Sequence, residues 1–334
     1  MELFEPDHAN LTSLFRPGLS SVPWWIVIPI GAFILLTITA NLLVIASFLS
    51  EPRLRNHFNL YLLNLAVTDL LVGLIGMPHF AVYTYYGYWP LSQPHCSFWM
   101  FFDYLCPPES LWSVLAISVD RVCAVSCPVF YRRHSSSRKS LAVIAVSWVV
   151  PVAIITPGFV LTRMETDRRD PYVCDWISTS TSDREAVSAL VVLCLGDCVP
   201  GLATVLCFVL TTWKMSEMAG KRKQRTSASR LRDSQDRQAF MVQCLLAATV
   251  VLTWTPWLVA ALRKLVFHIE DGWFYTLSYW ATYLISGVNP FLFNAASKEM
   301  RNSLQRVLGR SAGCWRDSQS RPCEADYRRG SSRR

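Results

Sequence analysis

The sequence predicts an all-α membrane protein: seven helices bundled across a bilayer, followed by a short amphipathic eighth helix on its surface. Three observations predict it. Only 17% of the 334 residues are charged and 52% are hydrophobic, where a soluble domain carries about 25% charged residues. Seven apolar stretches reach the ~20 residues that span a bilayer as a helix. Lys and Arg collect in alternate connecting segments, the asymmetry that orients membrane proteins. A soluble enzyme, a disordered chain and a fibrous protein are thereby excluded.

The stretches run in order Trp24–Leu49, Leu60–Tyr85, Phe98–Val119, Ser140–Leu161, Ala186–Trp213, Ala239–Leu262 and Trp273–Ala296. All are too long for barrel strands, so each is a helix. The first is preceded by Glu2, Glu5, Asp7 and a single Arg16. A signal peptide has a shorter apolar core behind positive charge, so this stretch reads as a retained membrane helix. The first, third and fifth loops plus the tail hold 25 of the 32 Lys and Arg residues. The N-terminus is therefore expected outside the plasma membrane and the tail in the cytoplasm. The net charge of +8 follows from that asymmetry and points to anionic lipid headgroups, not to nucleic acid.

The expected organisation is an extracellular segment over residues 1–23, the seven-helix domain over 24–296, the surface helix over 297–309 and a disordered tail over 310–334. Met300, Leu304, Val307 and Leu308 repeat at i, i+4, i+7 and i+8 beside Arg301 and Arg306, a pattern that lies on a membrane. Asn10-Leu11-Thr12 is a glycosylation sequon. Cys96 and Cys174 fall in the oxidising compartment and either pair there or remain free thiols. Cys314 and Cys323 follow the last span and either carry an acyl chain or stay unmodified.

Ionisable residues inside spans are costly and usually functional. Asp69, His79, Asp103, Glu109 and Asp197 are such residues. No Lys or Arg lies in the outer half of any span, so a cationic ligand is the expected partner of Asp103. Tyr104, Trp254, Trp257, Tyr279, Trp280 and Tyr283 lie at similar depth. Aromatic faces around a carboxylate make a cage for an ammonium. Asn41, Asp69, Ser110 and Asn289 can form a polar cluster at mid-membrane, either as a sodium site or as a water-satisfied network. Pro107-Pro108 is expected to kink or widen the third helix. Glu109 either satisfies a freed backbone group there or faces headgroup water.

Read in order, the motifs resemble the rhodopsin-like (class A) G-protein-coupled receptors. They are Ala40-Asn41, Leu65-Ala66-Val67-Thr68-Asp69, Asp120-Arg121-Val122, Trp148, Pro200, Thr253-Trp254-Thr255-Pro256 and Asn289-Pro290-Phe291-Leu292-Phe293. Within the family the chain is similar to the aminergic branch, because Asp103 stands eighteen residues before Arg121, where that branch pairs the ligand amine. Tyr279-Trp280-Ala281-Thr282-Tyr283 resembles muscarinic acetylcholine receptors, although Leu258 replaces an expected Asn. Asp197 lies one position from an acidic residue of inhibitory-coupled histamine receptors. The resemblance implies no catalysis and no cofactor beyond a sodium ion near Asp69. It implies a small amine ligand, with histamine first and acetylcholine next, and a heterotrimeric G protein, the inhibitory type favoured. Asp120, Arg121, Pro256, Asn289 and Pro290 then carry activation. Lys221-Arg222-Lys223 either touches the G protein or is a solvated basic face. Phe208 and Phe293 lack hydroxyls that the family uses in its active form. The other reading is an orphan or ligand-independent receptor with a vestigial amine site. A retinal protein is excluded because Trp273–Ser297 contains no lysine.

Overall fold

The computed structural model describes residues 23–164, 174, 183–220, 227–269 and 272–318. After a 3-10 turn at Trp24–Ile26, the first span is α1 (Val27–Ser50). The second joins α2 (Asn59–Leu71) and α3 (Met77–Tyr86) through a π-helical turn at Val72–Gly76. The third is α4 (Gln93–Ser126), and a short helix α5 (Pro128–His134) follows. The fourth is α6 (Ser137–Met164). The fifth joins α7 (Asp183–Val191) and α8 (Val199–Gly220) through a π-helical turn at Val192–Cys198. The sixth and seventh are α9 (Ser227–Phe267) and α10 (Gly272–Ala296). Helix α11 (Lys298–Ser318) runs beyond the expected end at 309. The sequence keeps the stripe's spacing from Leu308 to Trp315, which accounts for the extra turns.

The spans close a ring in chain order, and the seventh packs back on the first. The third crosses the interior and touches the second, fourth, fifth and sixth. Five spans are long and apolar enough to cross a membrane by composition alone, and the third and seventh are absent from that set. Both carry the polar residues of the interior, which lowers their hydropathy without shortening them. Large apolar side chains such as Leu36, Leu202, Leu252 and Leu277 point outward, as lipid permits and water would not.

Pro107 and Pro108 sit inside α4, which stays α-helical from Gln93 to Ser126. The expected widening is not there. The wide turns instead precede Pro78 and Pro200, where the extra residue opens room for a ring that lacks an N–H. The Cys96–Cys174 disulfide forms, with a Cα–Cα distance of 5.8 Å, and ties the start of α4 to residue 174, between the fourth and fifth spans.

Candidate functional site

Asp103 is 3% exposed on α4. The Tyr279 hydroxyl donates to its Oδ2 and the Tyr283 hydroxyl to its Oδ1. Tyr279 and Tyr283 are one turn apart on α10, so a single helix face delivers both donors. Gly76 lets the second span approach, because a Cβ there would stand 2.9 Å from Asp103 Oδ1. Two hydroxyl donors are what an ionised carboxylate needs when no cation is bound.

An aromatic wall surrounds this pair. Phe80 packs at 4.4 Å from Tyr279 and 5.9 Å from Tyr283, ring centre to ring centre. Trp257 meets Tyr279 edge-on at 4.7 Å. Trp280 lies 5.5 Å from Tyr283 and donates from Nε1 to Thr84 Oγ1 at 3.2 Å. Tyr104 is half-buried against the same core. Trp254 is buried below, and its indole N–H has no acceptor. Asp197 is buried in the π-helical turn of the fifth span and faces the indole of Trp257, while its Oδ1 lacks a partner. Asp197 thus lies inside a widened turn, and its side chain reaches the sixth span. Phe80, Trp89 and Trp99, the last two stacked with His79, were not among the expected site residues. Trp89 and Trp99 lie 5.0 Å apart, and His79 bonds back to Ile75 O at 2.7 Å. A clue existed for Phe80, since it follows His79 in the outer half of the second span.

A second cluster sits deeper. Ser110 Oγ donates to Asp69 Oδ1 at 3.2 Å, and Asn289 Nδ2 donates to Asp69 Oδ2 at 2.7 Å. Asn41 Nδ2 donates to Ser286 O at 3.0 Å. All four expected members therefore converge, with Ser286 as an addition. Asn41 Oδ1 and Asn289 Oδ1 are buried without donors. A carboxylate beside two spare amide oxygens is the hard-oxygen donor set a hard cation takes.

At the opposite end from the disulfide, Arg121 pairs with the adjacent Asp120, with Nε at 3.2 Å from Oδ2. Its guanidinium carbon lies 4.0 Å above the Phe58 ring. The Tyr131 hydroxyl from α5 reaches both Asp120 oxygens at 2.9 and 2.8 Å. Arg121 Nη2 donates to that hydroxyl at 3.0 Å, and His57 Nε2 stands 3.0 Å from it. Tyr131 titrates higher than a free tyrosine because burial disfavours its anion, so it stays a donor. His57 titrates below its usual value, chiefly through burial. Pro256 and Pro290 lie inside the sixth and seventh helices, as their motifs require.

Residues 40–293 match the sequence profile of the 7 transmembrane receptor (rhodopsin family). The chain belongs to that family. The receptor is 26% identical to human melatonin receptor type 1B over 88% of this chain and 82% of that protein. It is 33% identical to the dopamine D2-like receptor of Drosophila melanogaster over 52% of this chain and 19% of that protein. With muscarinic acetylcholine receptor M3 of Gallus gallus it shares 29% identity over 49% and 26% respectively. It is a multi-pass membrane receptor that signals and is not an enzyme.

The receptor corrects one expectation outright. Glu109 neither supports the paired prolines nor meets headgroup water. It is fully buried, and its Oε1 accepts from Asn64 Nδ2 at 3.1 Å, Ser113 Oγ at 2.9 Å and Ser147 Oγ at 3.0 Å. Trp148 Nε1 completes the knot on Asn64 Oδ1 at 3.0 Å. Three neutral side chains from three spans thus meet one oxygen of that carboxyl, while Oε2 is buried without a partner. Sequence reading missed Tyr131, His57 and Asn64, which belong to no motif that distinguishes them. Asn10, Cys323 and Lys221–Lys223 lie outside the described residues, as does the side chain of Cys314.

Proposed function

We propose that the receptor recognises a small cationic amine at Asp103 and passes that binding to a heterotrimeric G protein. The observation that carries this reading is a buried carboxylate held by two tyrosine hydroxyls inside an aromatic wall. An ammonium entering the wall gains a charge-assisted bond to Asp103 and faces of several rings. Its second anchor is Asp197, which favours a compact ligand with two basic groups. Histamine fits that description first, acetylcholine next. The melatonin, dopamine and muscarinic relatives make those ligands necessary comparisons.

The disulfide end faces outward and the Arg121 end faces the cytoplasm, following the distribution of Lys and Arg. Agonist draws the sixth and seventh helices toward Asp103. The sixth swings about Pro256 and frees Arg121 from Asp120 for the G protein, the inhibitory type favoured. The ligand works only through its better affinity for the open state. Asp69, with Ser110, Asn41 and Asn289, would hold a sodium ion, whose charge would favour the closed state.

A second reading has its own support. Tyr279 and Tyr283 already satisfy Asp103, so the carboxylate can serve as a purely structural acceptor in a receptor that signals without ligand. One experiment separates the two: G-protein activation in cells across histamine, acetylcholine, melatonin, dopamine and other amines, with Asp103→Ala beside the wild type. An amine response lost in the variant is the expected result. Silence to every amine, with basal signalling untouched by the variant, overturns the amine reading.

A further inference from the structure

Among the described free cysteines, Cys123, Cys127 and Cys194 are exposed. Cys194 belongs to the interior of the fifth span, but Cys123 and Cys127 lie at the end of α4 beyond its apolar stretch. Val119 and Cys123 are four residues apart, so they occupy one face of the helix, and Cys127 caps its end with its N–H bonded to Cys123 O at 3.1 Å. Val119 is 45% exposed, which in this fold means lipid-facing. The fifth span packs along α4 and ends its apolar stretch at Trp213. Trp213 is 60% exposed and carries the Lys214 ammonium 4.7 Å above its ring, the aromatic and basic pair that marks a membrane boundary. The two thiols therefore stand where hydrocarbon gives way to headgroups. Just past them, α5 exposes Val129 and Phe130 and ends on Arg132, Arg133 and His134. That combination of apolar surface and positive charge suits an anionic leaflet.

From this placement we propose that Cys127, with Cys123 as the neighbouring acceptor, is S-acylated by a long-chain fatty acid. The Cys127 sulfur attacks the thioester carbonyl of a long-chain acyl-CoA, and a new carbon–sulfur bond forms. The bond from that carbonyl to coenzyme A breaks, and coenzyme A leaves as a thiol carrying the proton of Cys127. No electron transfer is involved. Val119 lies eight residues back from Cys127, about 12 Å along the helix axis, so the chain lies down the same exposed face into the lipid. Its attachment point lies six residues after Arg121 and precedes Tyr131 by one turn. The modification thereby pins the base of the switch to the bilayer. The inference rests on the proposed cytoplasmic placement of this end and not on the identity of the ligand.

The test uses full-length receptor expressed in mammalian cells and labelled with an alkynyl palmitate, with hydroxylamine to confirm a thioester. Label is normalised to receptor at the cell surface, which also reports folding. Cys314→Ser with Cys323→Ser should retain hydroxylamine-sensitive label. Adding Cys123→Ser and Cys127→Ser should remove it. Mass spectrometry of wild-type peptides released by hydroxylamine should identify Cys127 without any variant. Complete loss of label in the tail double variant, label surviving in the quadruple variant, or no label on the wild type each overturns the proposal. None of these outcomes touches the amine reading, which Asp103→Ala tests separately.

Discussion

Tyr283→Phe removes one of the two tyrosine donors that hold Asp103. Tyr283 is completely buried and its hydroxyl bonds Asp103 Oδ1. Phenylalanine keeps the ring against Phe80 and Trp280 and leaves no cavity wider than the lost oxygen. A hydrogen bond to a charged group contributes about 1.5–3 kcal/mol net. At ~2–4 °C per kcal/mol, the ligand-free receptor in detergent should unfold roughly 3–12 °C lower. Tyr279→Phe should behave alike, because it serves the other oxygen. Thermal unfolding followed by intrinsic fluorescence provides the measurement. Asp103→Asn supplies the control: with the carboxylate neutralised, the further cost of Tyr283→Phe should shrink to that of a neutral bond, about 0.5–1.5 kcal/mol. An unchanged midpoint for both tyrosine variants, or an equal drop with and without the carboxylate, refutes the reasoning.

Gly76→Ala places a methyl 2.9 Å from Asp103 Oδ1; saturation binding should show at least a several-fold loss of amine affinity, although residue 76 makes no bond to ligand. Tyr131→Phe removes the hydroxyl that bridges Asp120, Arg121 and His57. Basal nucleotide exchange should rise about 10- to 150-fold, matching one bond to a charged group of ~1.5–3 kcal/mol in the closed state; exchange at the wild-type rate disproves the clamp. His57 titrates below 6.5, so the folded receptor binds fewer protons there than the unfolded chain. Stability from that site is present above about pH 6.5 and is lost as pH falls below it. Unfolding midpoints between pH 7.5 and 5.5 should therefore drop more steeply for wild type than for His57→Gln. Asp69→Asn should abolish any dependence of agonist affinity on replacing sodium with an organic cation, and a persistent sodium effect places the ion elsewhere.

Much of this receptor was legible in the sequence because its strongest signals are local. A bilayer demands long apolar helices, so four of the seven stretches can be delimited from runs free of charged residues, and the second, third and fifth from the apolar flanks of Asp69, of Asp103 and Glu109, and of Asp197. The alternation of Lys and Arg is likewise a matter of counting. The polar cluster at Asp69 and the pairing of Asp120 with Arg121 were readable because each member stands in a motif. Glu109 was not. Its partners come from positions 64, 113 and 147, and no local pattern announces that three helices meet there. His57 and Tyr131 are 74 residues apart and look like ordinary loop residues until α5 folds back under α4.

The sequence alone determined the number of helices, their order and the presence of uncompensated acids within them, because hydropathy and charge act residue by residue. Only the tertiary structure decided what those acids face. Asp103 and Tyr283 are 180 positions apart, and their meeting depends on closure of the seventh span against the second and third. The helical run through Pro107 and Pro108, and the wide turns before Pro78 and Pro200, were decided in the same way. A proline withdraws one hydrogen bond wherever it stands, but packing against neighbouring spans selects whether the helix stays regular or opens.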